Sequence, residues 1–344
     1  MTADGATASG PHQRLRASSC CHRLPTSDDK TPTRGLARLP LSLAIIAIAA
    51  GLSTISRGAT APVRGLTQPA ALARAYDAIL NADFASVGQR LAPACVPTPV
   101  WCEVLHAVAA YWRIELDPDD RGHDEQFSQK VEHAIVNAEG WTTQEPERAE
   151  AWFARGAAYG ARAQWRVLRK ERMAAARDGK RIKEALERAL QIDPDLHDAK
   201  FGIGMYRYYA DVAPAALRLL RWLLLLPGGD RTQGLAQMQD ARDRGVVVRG
   251  EADYQLHLIY LWYEHRAADA MTLIRDLRTR YPRNPLFPLI DARIADVYFH
   301  DTRGSEQTLR ALIAEAQNDR VNFSALATRR AQTALRALQQ RTPR

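Results

Sequence analysis

Cysteine is scarce in this chain, four in 344 residues, and the downstream pair belongs to no recognisable zinc-ligand pattern, which argues against a metal centre there. Catalytic signatures are missing as well. There is no HExxH, no Gly-x-Ser-x-Gly, no Walker-type glycine-rich loop and no dinucleotide fingerprint. The nine histidines are scattered, and His257 and His265 are the closest pair on one expected helix. No catalytic residue, metal or cofactor is therefore assigned, and the chain reads as a non-enzyme. Alternating apolar and polar runs of the kind that make half-buried strands are also absent. Acid is the minority charge: 39 Asp and Glu stand against 47 Lys and Arg, a net charge of +8 that comes almost wholly from arginine and suits anionic partners.

Long apolar runs are rare too. The one long uncharged run, Leu39 to Leu52, follows Arg34 and Arg38 and is followed by small residues. Its length is short of the roughly 20 residues a spanning helix needs, and its flanks fit an export signal. Cleavage after Gly51 or Ala61 and retention as an N-terminal anchor both suit it. Either way, the positive-inside bias sends the chain beyond residue 62 out of the cytoplasm, to the periplasm or the outer face of the inner membrane. Three regions follow: residues 1–35 as a polar leader without apolar period, 36–61 as signal or anchor, and 62–344 as the folded domain. An oxidising compartment would allow Cys95 and Cys102, in CVPTPVWC, to close a small loop, contributing up to about 2.5 kcal/mol in a chain-entropy account. Two buried free thiols are the alternative.

From Leu66 onward the pattern is helical, punctuated by Pro, Gly and Asp-Pro. The spacing predicts an elongated helix over about 147–177, a second over about 180–192 and another over about 214–226. Short loops between such helices make antiparallel hairpins. In ERAEAWFARGAAYG, Trp152, Gly156 and Tyr159 share one side of a helix, with Gly156 where a neighbouring helix must come close. In KEALERALQIDPDLHDA, Leu186, Ala189, Leu190 and Ile192 share a face that stops at Asp193-Pro194. Further on, YPRNPLF marks a join between units, and Asp230 in PGGD is placed to cap the next helix. These segments resemble tetratricopeptide repeats. The resemblance implies an all-α, right-handed superhelical solenoid of helix hairpins whose first helices line a concave groove.

In that groove the resemblance places aromatic rings and cations from two helices: Lys200, Tyr206, Arg207 and Tyr209 on one, Tyr254, Tyr260 and Tyr263 on the other. Rings with polar handles suit contact with a peptide, so the expected function is a non-catalytic scaffold that binds a peptide or protein segment. A closed pocket between repeats for a small molecule, lipid or glycan is the alternative. The run Leu217 to Leu226 reads either as a helix buried on both sides or as one lying on a membrane surface. Basic residues are dense from Arg162 to Arg188 and again after Asp319. Export argues against nucleic acid as their partner; a solvated outer face accounts for them most simply.

Overall fold

Pro69 and Pro99 open two of the inner helices at the position where a missing N–H costs nothing, and stripes such as Leu72, Ala75, Tyr76 and Ile79 then turn one face inward. The structure, a computed structural model, describes residues 61–212 and 228–341, which belong to one compact unit, Gly58–Arg344. The leader, the apolar run at 39–52 and the expected helix at 214–226 lie outside the described residues. Among those described there are thirteen α-helices and no strand longer than a single bridge, Val63 to Arg148. They are α1 Pro69–Leu80, α2 Val87–Cys95, α3 Pro99–Leu116, α4 Asp124–Gln144, α5 Ala149–Leu168, α6 Arg172–Ile192, α7 His197–Val212, α8 Arg231–Arg244, α9 Arg249–Trp262, α10 Ala267–Arg280, α11 Leu286–Phe299, α12 Thr302–Gln317 and α13 Ser324–Arg341. Sequential neighbours pack against each other throughout, as short connections require. No helix among the described residues is long and apolar enough to cross a membrane.

The expected helix over 147–177 is in fact two. The chain turns at Arg169–Glu171, with Lys170 in the left-handed region at φ 65°. The turn is fixed from outside: Trp165 Nε1 donates to Asp124 at 3.1 Å, and the Arg169 guanidinium donates to Asp124 and to the Pro118 carbonyl at 2.7 Å. The basic run on either side of this turn is partly interior. Arg162 donates to Asp178 at 3.0 and 2.7 Å and to Glu132 at 2.6 and 2.7 Å, and Arg166 adds a bond to Asp178 at 2.6 Å, tying α4, α5 and α6 together.

Gly156 does mark a close approach. Leu186 of α6 lies where a Cβ on Gly156 of α5 or on Gly202 of α7 would stand, so one leucine keys three helices. The α7–α8 crossing is tighter still: a Cβ on Gly204 would meet the Gly234 carbonyl at 2.7 Å, and one on Gly234 would meet the Gly204 carbonyl at the same distance.

The array does not stay linear. In a simple solenoid each unit touches only its neighbours, whereas here α1 reaches the turn before α11. Tyr281 donates to Asp77 at 2.8 Å, Arg283 N to Asn81 at 3.0 Å, and Asn284 Nδ2 to the Leu80 carbonyl at 2.6 Å. Arg330 of α13 donates to the Leu116 carbonyl at the end of α3, and Arg329 to Asp117 at 2.5 Å. One continuous apolar core runs from Ala71 to Ala295, with a smaller one joining α11, α12 and α13.

Candidate functional site

Two places concentrate polar chemistry. The first is Glu251, in the opening turn of α9, where an acidic side chain suits the helix dipole. It is 2% exposed and is met by a donor from four helices. Tyr76 of α1 and Trp112 of α3 donate at 3.1 Å, Gln164 of α5 at 3.1 Å and Gln255 of α9 itself at 3.0 Å. No ion pair reaches it among the described residues. Burial therefore raises its pKa, against the pull of the four hydrogen bonds.

Next to it, Glu115 accepts from Tyr111 at 2.9 Å and Tyr254 at 2.6 Å. Burial, reinforced by Glu115, pushes both phenols well above the usual tyrosine range. The His257 ring lies against Tyr254, tilted by 49° with ring centroids 4.9 Å apart, and bonds the Tyr254 carbonyl. Burial lowers its pKa to about 4, so it is neutral at pH 7. His265 lies beyond the end of α9 at φ 54°, and the two histidines share no helix face. Both oxygens of the Glu251 carboxylate accept from protein donors, so this one side chain ties α1, α3, α5 and α9 together. No group of three acidic, His or Cys side chains among the described residues is placed to hold a metal.

The second place is where α7 and α9 end together. Tyr208 is buried and donates to Glu264, which Arg231 also grips at 2.7 Å. Its ring meets Tyr209 at 5.6 Å and Tyr263 at 6.0 Å, and Tyr209 meets Tyr263 at 5.7 Å, all three edge to face. Tyr263 is 41% exposed, while burial lifts the Tyr209 phenol above its usual range. Tyr206 and Arg207 are half-buried on the same helix, and the Tyr206 ring lies over Gly179 of α6, where an added Cβ would sit 3.6 Å from it.

The other sequence-predicted residues fall elsewhere. Lys200 pairs with Asp240 at 2.7 Å, beside His197; against the burial that would raise it, bonds from Lys200, His197 and Arg244 hold the Asp240 carboxyl well below the carboxylate range. Tyr254 and Tyr260 are interior. The Tyr260 hydroxyl accepts from Gln239 at 2.9 Å and its ring is covered by Arg266 at 4.4 Å. Tyr209 and Tyr263 are thus in direct contact, Tyr206 and Arg207 share their helix end, and Lys200, Tyr254 and Tyr260 serve helix packing.

Cys95, at the end of α2, and Cys102, in the first turn of α3, are joined as a disulfide with Cα atoms 5.5 Å apart, a separation typical of such bonds. It holds the α2–α3 corner at the start of the helix that carries Trp112 and Glu115. Sequence reasoning missed Glu251 and Glu115. A lone first-turn glutamate looks solvated by any local pattern, and three of its four partners lie 87 to 175 residues away. No protein-family model matches the chain, and no curated protein matches it.

Proposed function

We propose that this protein is a non-catalytic interaction scaffold of tetratricopeptide type in the cell envelope, exported by its apolar N-terminal run, that captures a peptide or protein segment. The carrying observation is the Tyr208–Tyr209–Tyr263 cluster, whose rings brace one another while Tyr263 faces solvent. Such rings give contact area without a large ordering cost. The hairpin order and the Gly156–Leu186–Gly202 key support the repeat assignment. The saturated hydrogen bonding at Glu251 ranks this reading above a small-molecule pocket between repeats.

A photocrosslinking residue placed at 206, 209 or 263 in intact cells should capture one abundant protein partner, with none at position 133 on α4. Replacing Tyr209 and Tyr263 with Ala should lower capture from 206 at least fivefold, on the order of the 1 kcal/mol a truncated contact costs. Capture of lipid or glycan alone, or equal capture from 133, would overturn the proposal.

A further inference from the structure

Tryptophan N–H groups in this protein are paired, with one exception. Among the described residues Trp101 donates to Glu150, Trp112 to Glu251, Trp141 to Glu145, Trp152 to the Pro146 carbonyl and Trp165 to Asp124. Trp262, the last residue of α9, has no such partner and is 59% exposed. Next to it in the chain is Tyr263, which is 41% exposed and meets Tyr209 of α7 edge to face at 5.7 Å. Neither of these two hydroxyls is hydrogen-bonded to another described residue.

The acids at this helix end are already engaged. Glu264 accepts from Tyr208 and Arg231, Asp211 from the Arg231 amide at 3.2 Å and Asp230 from the Gln233 amide at 2.9 Å. Buried Tyr208, pinned by Glu264, touches the rings of both Tyr209 and Tyr263, so the rings that reach solvent are held from beneath. What the surface offers a partner is therefore a set of braced aromatic faces carrying free N–H and O–H donors.

That set discriminates between kinds of peptide. A helical segment has its backbone groups satisfied internally and gives these donors little to bind. An ordinary extended segment brings an N–H with every carbonyl, and here its carbonyls would find donors while its N–H groups would be covered without acceptors, which is unfavourable. Proline supplies the carbonyl without the N–H. A polyproline II segment also has no internal hydrogen bonds, is largely formed before it binds, and packs its pyrrolidine rings on aromatic faces.

We infer that the shared end of α7 and α9 takes a proline-rich segment in the polyproline II conformation, with its rings on Tyr209, Tyr263 and Trp262 and its carbonyls accepting from the Trp262 N–H and the tyrosine hydroxyls. This names the partner class at the site of the peptide-capture reading and rests on that reading.

The test uses the full chain and a fluorescein-labelled oligoproline peptide followed by fluorescence anisotropy, beside a glycine-serine peptide and a glutamate-rich peptide of equal length. Oligoproline should bind saturably and the other two should not. Trp262→Ala should weaken binding about tenfold, as loss of an aromatic anchor does, and Tyr263→Phe, which removes only a hydroxyl, about threefold. Phe299→Ala, at an exposed residue that makes no ring contact with the cluster, should leave binding unchanged. No saturable oligoproline binding, equal binding of either comparison peptide, or a loss with Phe299→Ala as large as with Trp262→Ala would each overturn the inference. The capture reading fails separately: crosslinking from 263 to a protein segment without prolines keeps capture and overturns the proline assignment, whereas saturable oligoproline binding with no protein captured in cells supports the assignment and overturns capture.

Discussion

Glu251→Ala should lower stability by roughly 3–5 kcal/mol, because it strands the Tyr76 hydroxyl, the Trp112 indole N–H and two glutamine amides in a dry interior. Thermal unfolding followed by circular dichroism should show the midpoint falling by on the order of 10 °C. Glu251→Gln keeps the shape and should cost much less. Both variants also remove the same titration. The folded-state pKa of Glu251 is raised by burial, so the folded protein binds this proton more tightly than the unfolded chain does. Its contribution is fully present below the unfolded glutamate pKa and is lost as pH rises through the folded value. Relative to wild type, E251Q and E251A should therefore both gain stability as pH rises out of the carboxylate range, in parallel, with E251A lower by the same amount at every pH. A pH-independent gap between wild type and E251Q would contradict the raised pKa.

Gly234→Val should be nearly as damaging. A Cβ there would come within 2.7 Å of the Gly204 carbonyl and of the Tyr208 amide. Those are backbone atoms of α7, so relief means separating two helices rather than turning a side chain. The expected cost is about 3 kcal/mol, at the upper end for overpacking, accompanied by loosening of the Tyr208–Tyr209–Tyr263 cluster that the crossing supports. Gly160→Ala is the matched control. Nothing lies within 4 Å of its added Cβ, and alanine in a helix interior is favoured over glycine by roughly 0.5–1 kcal/mol. The two substitutions should move the urea midpoint in opposite directions; the same direction for both would mean that the α7–α8 crossing is looser than described.

The hairpin grammar was legible because it is written in local chemistry. Asp193-Pro194 stops α6 at Ile192, Asp230 accepts the Gln233 N–H at 2.9 Å as the α8 cap, and YPRNPLF is the turn between α10 and α11. Gly156 told of a close neighbour before the neighbour was known. Where local signals conflicted or were silent, the reading failed. Helix α2 carries Gly88 and Pro93 within it, the two residue types that most weaken a helical pattern. The turn at 169–171 is built of Arg, Lys and Glu, all good helix formers, and only Asp124, 45 residues away from Arg169, shows why the chain breaks there.

The site was half legible for a related reason. Helical spacing put Tyr206 and Tyr209 on one helix and Tyr263 at the end of another, and the α7–α9 contact brought Tyr209 and Tyr263 together. A tyrosine reads the same whether its hydroxyl meets water or a buried carboxylate, so Tyr254 was indistinguishable from Tyr263 until Glu115 came into view. The convergence of four helices on Glu251 is a property of how the array curls, and no stretch of sequence records it.

That curling is the central claim, since it makes a preformed frame out of hairpins that would otherwise act as a row. Native-state hydrogen exchange read by mass spectrometry tests it most directly. In an open row the end helices fray, with opening free energies far below those of the middle. In a frame closed by Tyr76, Asp77 and Asn284, the amides of α1 should be protected to the level of α9, and E251A should lower both together. Fast exchange of α1 in the wild-type protein, with α5 to α9 protected, would contradict the closed frame.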